Sequence, residues 1–353
     1  MHFGTQYGDS LQEFVSIPAV AVGRNGEVLI ADAVAGRIRV FDPDGGYRKT
    51  IGRRGPGPGE FTRIRAMHVH GDTLIVLDAD GPTVTVMDWV EGKLFRTFRV
   101  EAAQGDAYFG NGAQIRIVED TLVAFGVGGL VDPLDGRRHD ELRIYSLRGR
   151  LVDSLVIARQ PIPRKQFIAR DGRQFGVPIR FSPWRIWTIN ASGGLTIAHG
   201  AAYRIAELDR AGDTARVMSR DVQPEPIDAD AREAARNWTD LMVVGFGGDL
   251  AASPYELPGA QPYIFSLSYG QEGKQLWIKR TELAADPVYD VFVEGNYRCR
   301  VRLLAAGYRA TINSVPLVVA NGILLHVAID SLDAQYVLGY RQRSSAGLTK
   351  CVR

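Results

Sequence analysis

An all-β ring of repeated four-stranded units is the fold class that the sequence predicts, and three observations predict it. The first is an internal echo: Phe3-Gly4, Glu13-Phe14, a strand, Gly26-Glu27-Val28-Leu29-Ile30, Asp32 and Ile38-Arg39-Val40-Phe41-Asp42. The same series returns as Ile51-Gly52, Glu60-Phe61, a strand, Gly71-Asp72-Thr73-Leu74-Ile75, Asp78 and Val84-Thr85-Val86-Met87-Asp88. The second is composition, since 45% apolar residues with 39 glycines suit many short strands joined by tight turns. The third is closure: Phe3-Gly4 stands where Ile51-Gly52 ends an outer strand, so residues 1–8 read as the outer strand of a unit whose other strands lie near the C-terminus. Repeats of this length built from alternating strands are β-propeller blades, and closing the last blade with the first strand removes two exposed sheet edges.

Six blades follow along the chain as one domain over 1–353. Blade one spans about 16–51 and blade two 63–100, the two clearest copies. Blade three takes 114–157, with strands at Ile115-Val118, Thr121-Phe125, Leu142-Ser146 and Leu151-Val156. Blade four takes 184–220, where Leu195 to His199 and Tyr203 to Leu208 repeat the middle strands of blade one. Blade five takes 263–304 through Gln275-Ile278 and Tyr289-Val293, and blade six takes 313–340 plus residues 1–8. Turns such as Asp42-Pro43-Asp44-Gly45, Asp209 to Gly212 and Glu294-Gly295 recur at one place in successive blades, as repeated hairpin chemistry requires.

Composition removes several function classes. A net charge of +2 opposes strong global attraction to nucleic acid or acidic membranes, so nucleic acid is not the expected partner. No stretch approaches the ~18 to 20 apolar residues of a membrane span, and the first residues lack the apolar run of a signal peptide. Cys299 and Cys351 are the only thiols. A bridge between them would staple the C-terminal tail to blade five and imply an oxidising compartment, whereas two unrelated thiols would imply neither.

Ile51-Gly52 through Gly55, the run Gly57-Pro58-Gly59-Glu60-Phe61, and Ile38, Val40 and Phe41 resemble NHL-repeat propellers, more broadly the bacterial six-bladed propeller proteins. The resemblance implies a fold and a binding habit. Its members include RNA-binding, protein-binding, lyase and lactonase-like proteins, so it implies no single activity.

Loop lengths divide the two ends of the ring. Turns joining strands one to two and three to four are short throughout, as at Arg24-Asn25-Gly26, His70-Gly71, Glu119-Asp120 and Glu272-Gly273. Every long excursion opens on the other face: 101–113, 126–141, 159–183 and 221–262. Long loops in a compact domain are more often functional than idle. The 221–262 excursion holds the one predicted helix, in the blade four to five connection, with Asp230 and Glu233 as a capping box. Ala231, Ala234, Ala235, Trp238 and Met242 form its inward stripe. Trp238 is expected to anchor that helix on the decorated face, as a cover over blade ends or as a lid over a ligand.

The connection before blade four is strongly basic. Arg159, Arg164, Lys165, Arg170, Arg173, Arg180 and Arg185 stand against Asp171 alone, interleaved with Phe167, Phe175, Phe181 and Trp184. Guanidinium forks bind carboxylates and phosphates bidentately, so Arg164, Lys165, Arg170, Arg173, Trp184 and Trp238 are the expected ligand-binding residues. A solvated loop pairing with local acids would carry the same residues.

Other motifs are weaker. Gly8-Asp9-Ser10-Leu11 spells the start of a serine-hydrolase block but occupies the glycine-rich position between blades. Gly126-Val127-Gly128-Gly129 and Gly245-Phe246-Gly247-Gly248 read as loop glycines. Asp32, Asp78 and His199 end the second strands of blades one, two and four, with Asp330 near that place in blade six, and could face a common divalent ion on the axis. An acid there more commonly bonds its adjacent turn. His68 and His70 form a pair on one strand without a third ligand.

The expectation is therefore a non-catalytic, extracytoplasmic binding or scaffolding propeller. It would take a protein or anionic ligand on its long-loop face and require no cofactor. The alternative is a metal-dependent lactonase- or lyase-like enzyme at the channel mouth.

Overall fold

The computed structural model describes residues 1–4, 11–78, 82–100, 114–131, 138–158, 163–251, 255–281, 286–304, 307–310, 315, 317–332 and 334–341. The N-terminal strand β1 is His2–Phe3. Blade one follows as β2 (Val20–Val22), β3 (Val28–Asp32), β4 (Arg37–Phe41) and β5 (Tyr47–Ile51), paired in that order from the axis outward. Blade two repeats it with β6 (Ile64–His70), β7 (Thr73–Asp78), β8 (Thr83–Asp88) and β9 (Lys93–Arg99). Blade three is β10 (Ile115–Val118), β11 (Leu122–Val131), β12 (Arg138–Ser146) and β13 (Leu151–Ala158).

A separate hairpin, β14 (Arg164–Ile168) with β15 (Gln174–Pro178), precedes blade four. Blade four is β16 (Arg185–Ile189), β17 (Leu195–His199), β18 (Arg204–Leu208) and β19 (Thr214–Ser219), followed by the helix α1 (Ala229–Gly245). Blade five is β20 (Ser266–Tyr269), β21 (Gln275–Lys279), β22 (Val288–Val293) and β23 (Asn296–Arg302). Blade six joins β25 (Val318–Ala320), β26 (Ile323–Ile329) and β27 (Gln335–Arg341), while the short β24 (Arg309–Ala310) extends β26 beyond β25. The chain is an all-β six-bladed propeller, with a single helix among the described residues.

β1 closes the ring. His2 pairs with Leu338 and Phe3 with Val337, antiparallel, so the first strand is the outer strand of the last blade. Phe3 is fully buried against Phe41, whose ring centroid lies 5.3 Å away. The core is a ring of apolar layers between adjacent blades: one between blades one and two around Leu29, Ile38, Phe61, Leu74 and Trp89, another between blades six and one around Phe3, Val28, Phe41 and Val337. Each blade therefore buries both faces, which explains why β3, β7 and β26 read as continuous apolar runs rather than alternating ones.

Three details depart from the sequence expectation. The excursion expected over 126–141 is largely strand, because β11 runs on to Val131 and β12 starts at Arg138, with a register shift between Val127 and Leu130. Gly126 is accordingly a packing glycine, since a Cβ there would sit 2.3 Å from the Trp187 ring. The helix is capped by Asp228, whose Oδ1 accepts the Ala231 N–H at 2.7 Å, not by Asp230. Its buried stripe is Ala231, Ala235, Thr239 and Val243, a rotation from the expected one that lets Thr239 Oγ1 bond back to Ala235 O. Finally, the basic connection is not a plain loop but contains β14 and β15.

Cys299 on β23 is disulfide-bonded, while Cys351 lies outside the described residues. So do Arg159 and most of the Gly8 to Leu11 tetrapeptide. No described helix is long and apolar enough to cross a membrane.

Candidate functional site

Two β-strands and one helix form a small layer on the long-loop face. β14 and β15 pair from Arg164 opposite Pro178 to Ile168 opposite Gln174, and a glycine turn at Gly172 closes the hairpin with Arg170, Asp171 and Arg173 at its tip. α1 packs over this hairpin through Val243, Trp238 and Met242 against Phe167, Phe175 and Val177. A second cluster seats Ala231 and Ala235 on Phe181. The end of the helix is tied to the hairpin tip: the Arg170 N–H donates to Gly247 O at 3.1 Å, and Phe246 stacks on Phe175 at 5.1 Å.

The six expected ligand residues separate in this arrangement. Arg164 is half-buried and donates from Nη1 to Gly176 O at 2.7 Å, bracing its own hairpin. Lys165 is only 4% exposed, its ammonium 5.2 Å from the Tyr255 ring, and burial lowers its pKa against the opposing pull of Asp240. Arg170 and Arg173 are exposed. Arg173 is paired with Asp171 at 2.6 Å and lies over the Phe175 ring. Trp184 is buried edge-on to Phe265 in the core between blades four and five, so it faces no solvent. Trp238 is half-buried beneath Arg180, whose guanidinium carbon stands 3.9 Å from the ring centroid.

The basic run is thus mostly folded inward. Lys165 and Arg180 are buried in the layer, and among the described site residues Arg170 and Arg173 are the arginines presented to solvent. What sequence reasoning missed is apolar. Ile168, Leu241 and Val244 are 69%, 71% and 56% exposed, with Phe246 and Leu250 also exposed beside them in sequence. The signal was available in the helix itself: Leu241 and Val244, three apart, fall on the side opposite Ala231, Ala235 and Val243.

Asp32, Asp78 and His199 are not brought together. Asp32 is buried and accepts N–H groups from Val15, Val34 and Ala35, each at 3.2 Å. Asp78 accepts from the Thr62 N–H, from Thr62 Oγ1 at 2.6 Å and from the Arg63 N–H at 3.1 Å. Both carboxylates therefore clamp the incoming connection of their own blade to the end of its second strand, whereas Asp330 accepts the Leu332 and Ala334 N–H groups of the turn that follows it. His199 Nδ1 accepts the Ala201 N–H at 3.1 Å, and burial followed by Arg185 lowers its pKa. Among the described residues no three His, Cys, Asp or Glu side chains form a group able to hold a metal ion. His70 pairs with Asp120 at 2.6 Å, and His68 accepts the Ile117 N–H through Nδ1 at 3.3 Å, so this pair serves the contact with blade three.

A second polar network lies between blades four and five. Asp290, fully buried, accepts from Arg220 at 3.0 Å, Arg280 at 2.9 Å and Arg300 at 3.0 Å, while Glu225 accepts from Arg300 at 2.9 Å. Burial alone would raise the Asp290 pKa, but the hydrogen bonds and charges of Arg300 and Arg280 outweigh it and hold the carboxyl below its ordinary range.

Comparison with known proteins agrees on the fold. Residues 12–108, spanning blades one and two, match the DUF5128 family, described as a 6-bladed beta-propeller. Among solved structures, a Bacteroides fragilis protein described as exported superposes with a TM-score of 0.51 at 10% identity, covering 97% of this chain and 95% of that one. Virginiamycin B lyase from Staphylococcus aureus gives 0.39 at 11% identity, over 98% of this chain and 89% of that one. The Cps50 (Swd1) propeller domain of Myceliophteria thermophila gives 0.40 at 12% identity, over 93% and 86%. At 10% identity the likeness to the Bacteroides fragilis protein is one of fold. No curated protein matches the sequence.

Proposed function

We propose that the protein is a non-catalytic binding propeller, NHL-like in its first two blades, that docks a protein partner where α1 meets the tip of the β14–β15 hairpin. The observation that carries this reading is the exposed apolar pair Leu241 and Val244 on the outward face of α1, followed by exposed Phe246 at the helix end that is tied through Gly247 O to the hairpin tip presenting Arg170 and Arg173. Single exposed apolar residues need no explanation, whereas a group of them rimmed by charge is the usual form of a protein-binding patch. The partner that complements it has an apolar centre and carboxylates at the edge that meets the two arginines. Burial of Lys165 and Arg180 argues against a purely electrostatic, anion-coated ligand, because those charges are already withdrawn from solvent.

Affinity capture from a native extract, followed by rebinding of each purified candidate, tests the assignment. Leu241→Glu with Val244→Glu should weaken the true partner by at least about tenfold, near 1.4 kcal/mol. Arg170→Glu with Arg173→Glu should weaken it less and flatten its salt dependence. Arg24→Ala with Asn25→Ala, on the short-loop face, should leave it unchanged. A partner lost only by the Arg24 and Asn25 variant would place binding on the wrong face.

The Cys299 disulfide supports an extracytoplasmic location. Thiol titration of denatured, unreduced protein should find no free cysteine. Two reactive thiols would remove that reading.

A further inference from the structure

The central channel of the propeller carries a set of unanswered hydrogen-bond donors. Its inner strands enclose a cavity of about 130 Å³ whose lining includes Ala19 and Ala21 of blade one, Ala66 and His68 of blade two, Arg116 of blade three and Ser268 of blade five. The short-loop end is closed by Gln271, which follows β20 of blade five and reaches across the axis. Its amide nitrogen donates to Val22 O at 2.8 Å and Val69 O at 2.7 Å, and its oxygen accepts the Val22 N–H at 3.3 Å. Both amide hydrogens and one oxygen lone pair of that side chain are spent on blades one and two, so it forms a floor.

Above that floor two buried side chains, Arg116 and His68, offer donors. Arg116 is about nine-tenths buried, and its Nη2 donates to Gly270 O at 3.3 Å and Gln271 O at 2.9 Å. Its other guanidinium nitrogens have no hydrogen-bond partner among the described residues. No carboxylate lines the cavity to balance its charge. His68 adds a second donor by a forced choice of tautomer. Its Nδ1 accepts the Ile117 N–H, so a neutral ring carries its proton on Nε2, and that atom is buried without a partner. Burial followed by the Arg116 charge keeps the ring neutral, since both lower its pKa well below the ordinary value. A buried cation with no carboxylate beside it and a buried N–H without a partner, both in the lining of one cavity, leave donor capacity unmet.

We propose that this channel binds a small carboxylate, held by Arg116 and by the Nε2–H of His68, with its short apolar tail directed among Ala19, Ala21, Ala66 and Leu317. Carboxylate suits the pair because a guanidinium and a neighbouring N–H donor can occupy its two oxygens. The size follows from the cavity, which holds roughly four waters at ~30 Å³ each, room for a ligand of about six non-hydrogen atoms. This site is separate from the docking tip and stands independently of it.

Butyrate is the probe, with butyramide as its neutral counterpart of the same shape and inorganic phosphate as the competing anion. Calorimetry on the full chain should give saturable butyrate binding with a dissociation constant near or below about 1 mM, and at least about tenfold weaker binding of butyramide. Arg116→Gln should abolish butyrate binding. Because that substitution also removes the bonds to Gly270 and Gln271, the wild-type protein provides a second readout: the His68 side-chain nitrogen resonances should shift on adding butyrate and not on adding butyramide. Absence of both binding and a His68 shift up to about 10 mM butyrate would overturn the proposal. Equal affinity for butyramide, or preference for phosphate, would overturn the carboxylate assignment.

Discussion

Removal of residues 1–4 tests the closure of the ring, and its cost can be worked from the contacts of β1. Phe3 is completely buried in the layer between blades six and one, and truncating such a phenylalanine costs about 3–5 kcal/mol. The backbone adds the Met1 ammonium donating to Gly339 O and the Gly339 N–H donating to Met1 O, both at 2.8 Å. At about 0.5–1.5 kcal/mol net for each such bond, the total reaches roughly 4–8 kcal/mol. That is comparable with the entire stability of an ordinary domain, about 5–15 kcal/mol. It also leaves the outer edge of β27 unpaired and open to strand addition between molecules. Urea denaturation of the truncated and full chains gives the stability difference, amide exchange reports protection along β27, and light scattering reports association. Phe3→Ala alone should account for more than half of the loss. A truncated chain whose midpoint lies within about 0.5 kcal/mol of the full chain, with β27 amides still protected, would refute the closure argument.

Two further predictions concern buried charge. Asp290→Asn leaves Arg220, Arg280 and Arg300 around a neutral amide and should cost about 3–5 kcal/mol by denaturant titration at neutral pH. Its native pKa lies below the unfolded value of about 3.9, so that stabilisation is fully present above pH 4 and fades as the pH falls through the native pKa; the gap between wild type and variant should close in acid. His326, 4% exposed, is lowered to about 3 by burial, with Lys279 adding to the shift. The unfolded chain then binds a proton near pH 6.5 that the folded chain refuses until about 3. Stability should therefore fall with decreasing pH across that window, by up to about 1.4 kcal/mol per unit from this group, and His326→Gln should remove that part of the slope. An unchanged slope would assign the ring a polar partner in solution.

The blade plan was legible because it is written locally and more than once. Phe3-Gly4 against Ile51-Gly52 and Asp32 against Asp78 repeat positions whose roles the strand geometry dictates, so the closure by β1 and the turn-clamping acids could be read from alignment of the chain with itself. The helix was legible from its amphipathic run, although its cap and stripe were misplaced, since Asp228 and Asp230 are chemically equal caps and only packing on Phe181 and Val177 separates them. The hairpin β14–β15 escaped notice because it belongs to no blade and has no copy elsewhere to be compared with.

What the sequence by itself determined is the repeat: six blades, four strands in each, and a first strand that completes the last. What only the tertiary structure decided is which side of each residue meets solvent. Seven basic residues over 159–185 read as a charged surface, yet Lys165 and Arg180 are enclosed once α1 lies across the hairpin, while Leu241 and Val244 are left outside. The channel depends still more on the fold, since Gln271 bonds to Val69 from 202 positions away and Arg116 to Gln271 from 155. No local pattern records such meetings. They arise because a ring brings the inner strands of all blades to one axis, where residues with no sequence relation become neighbours.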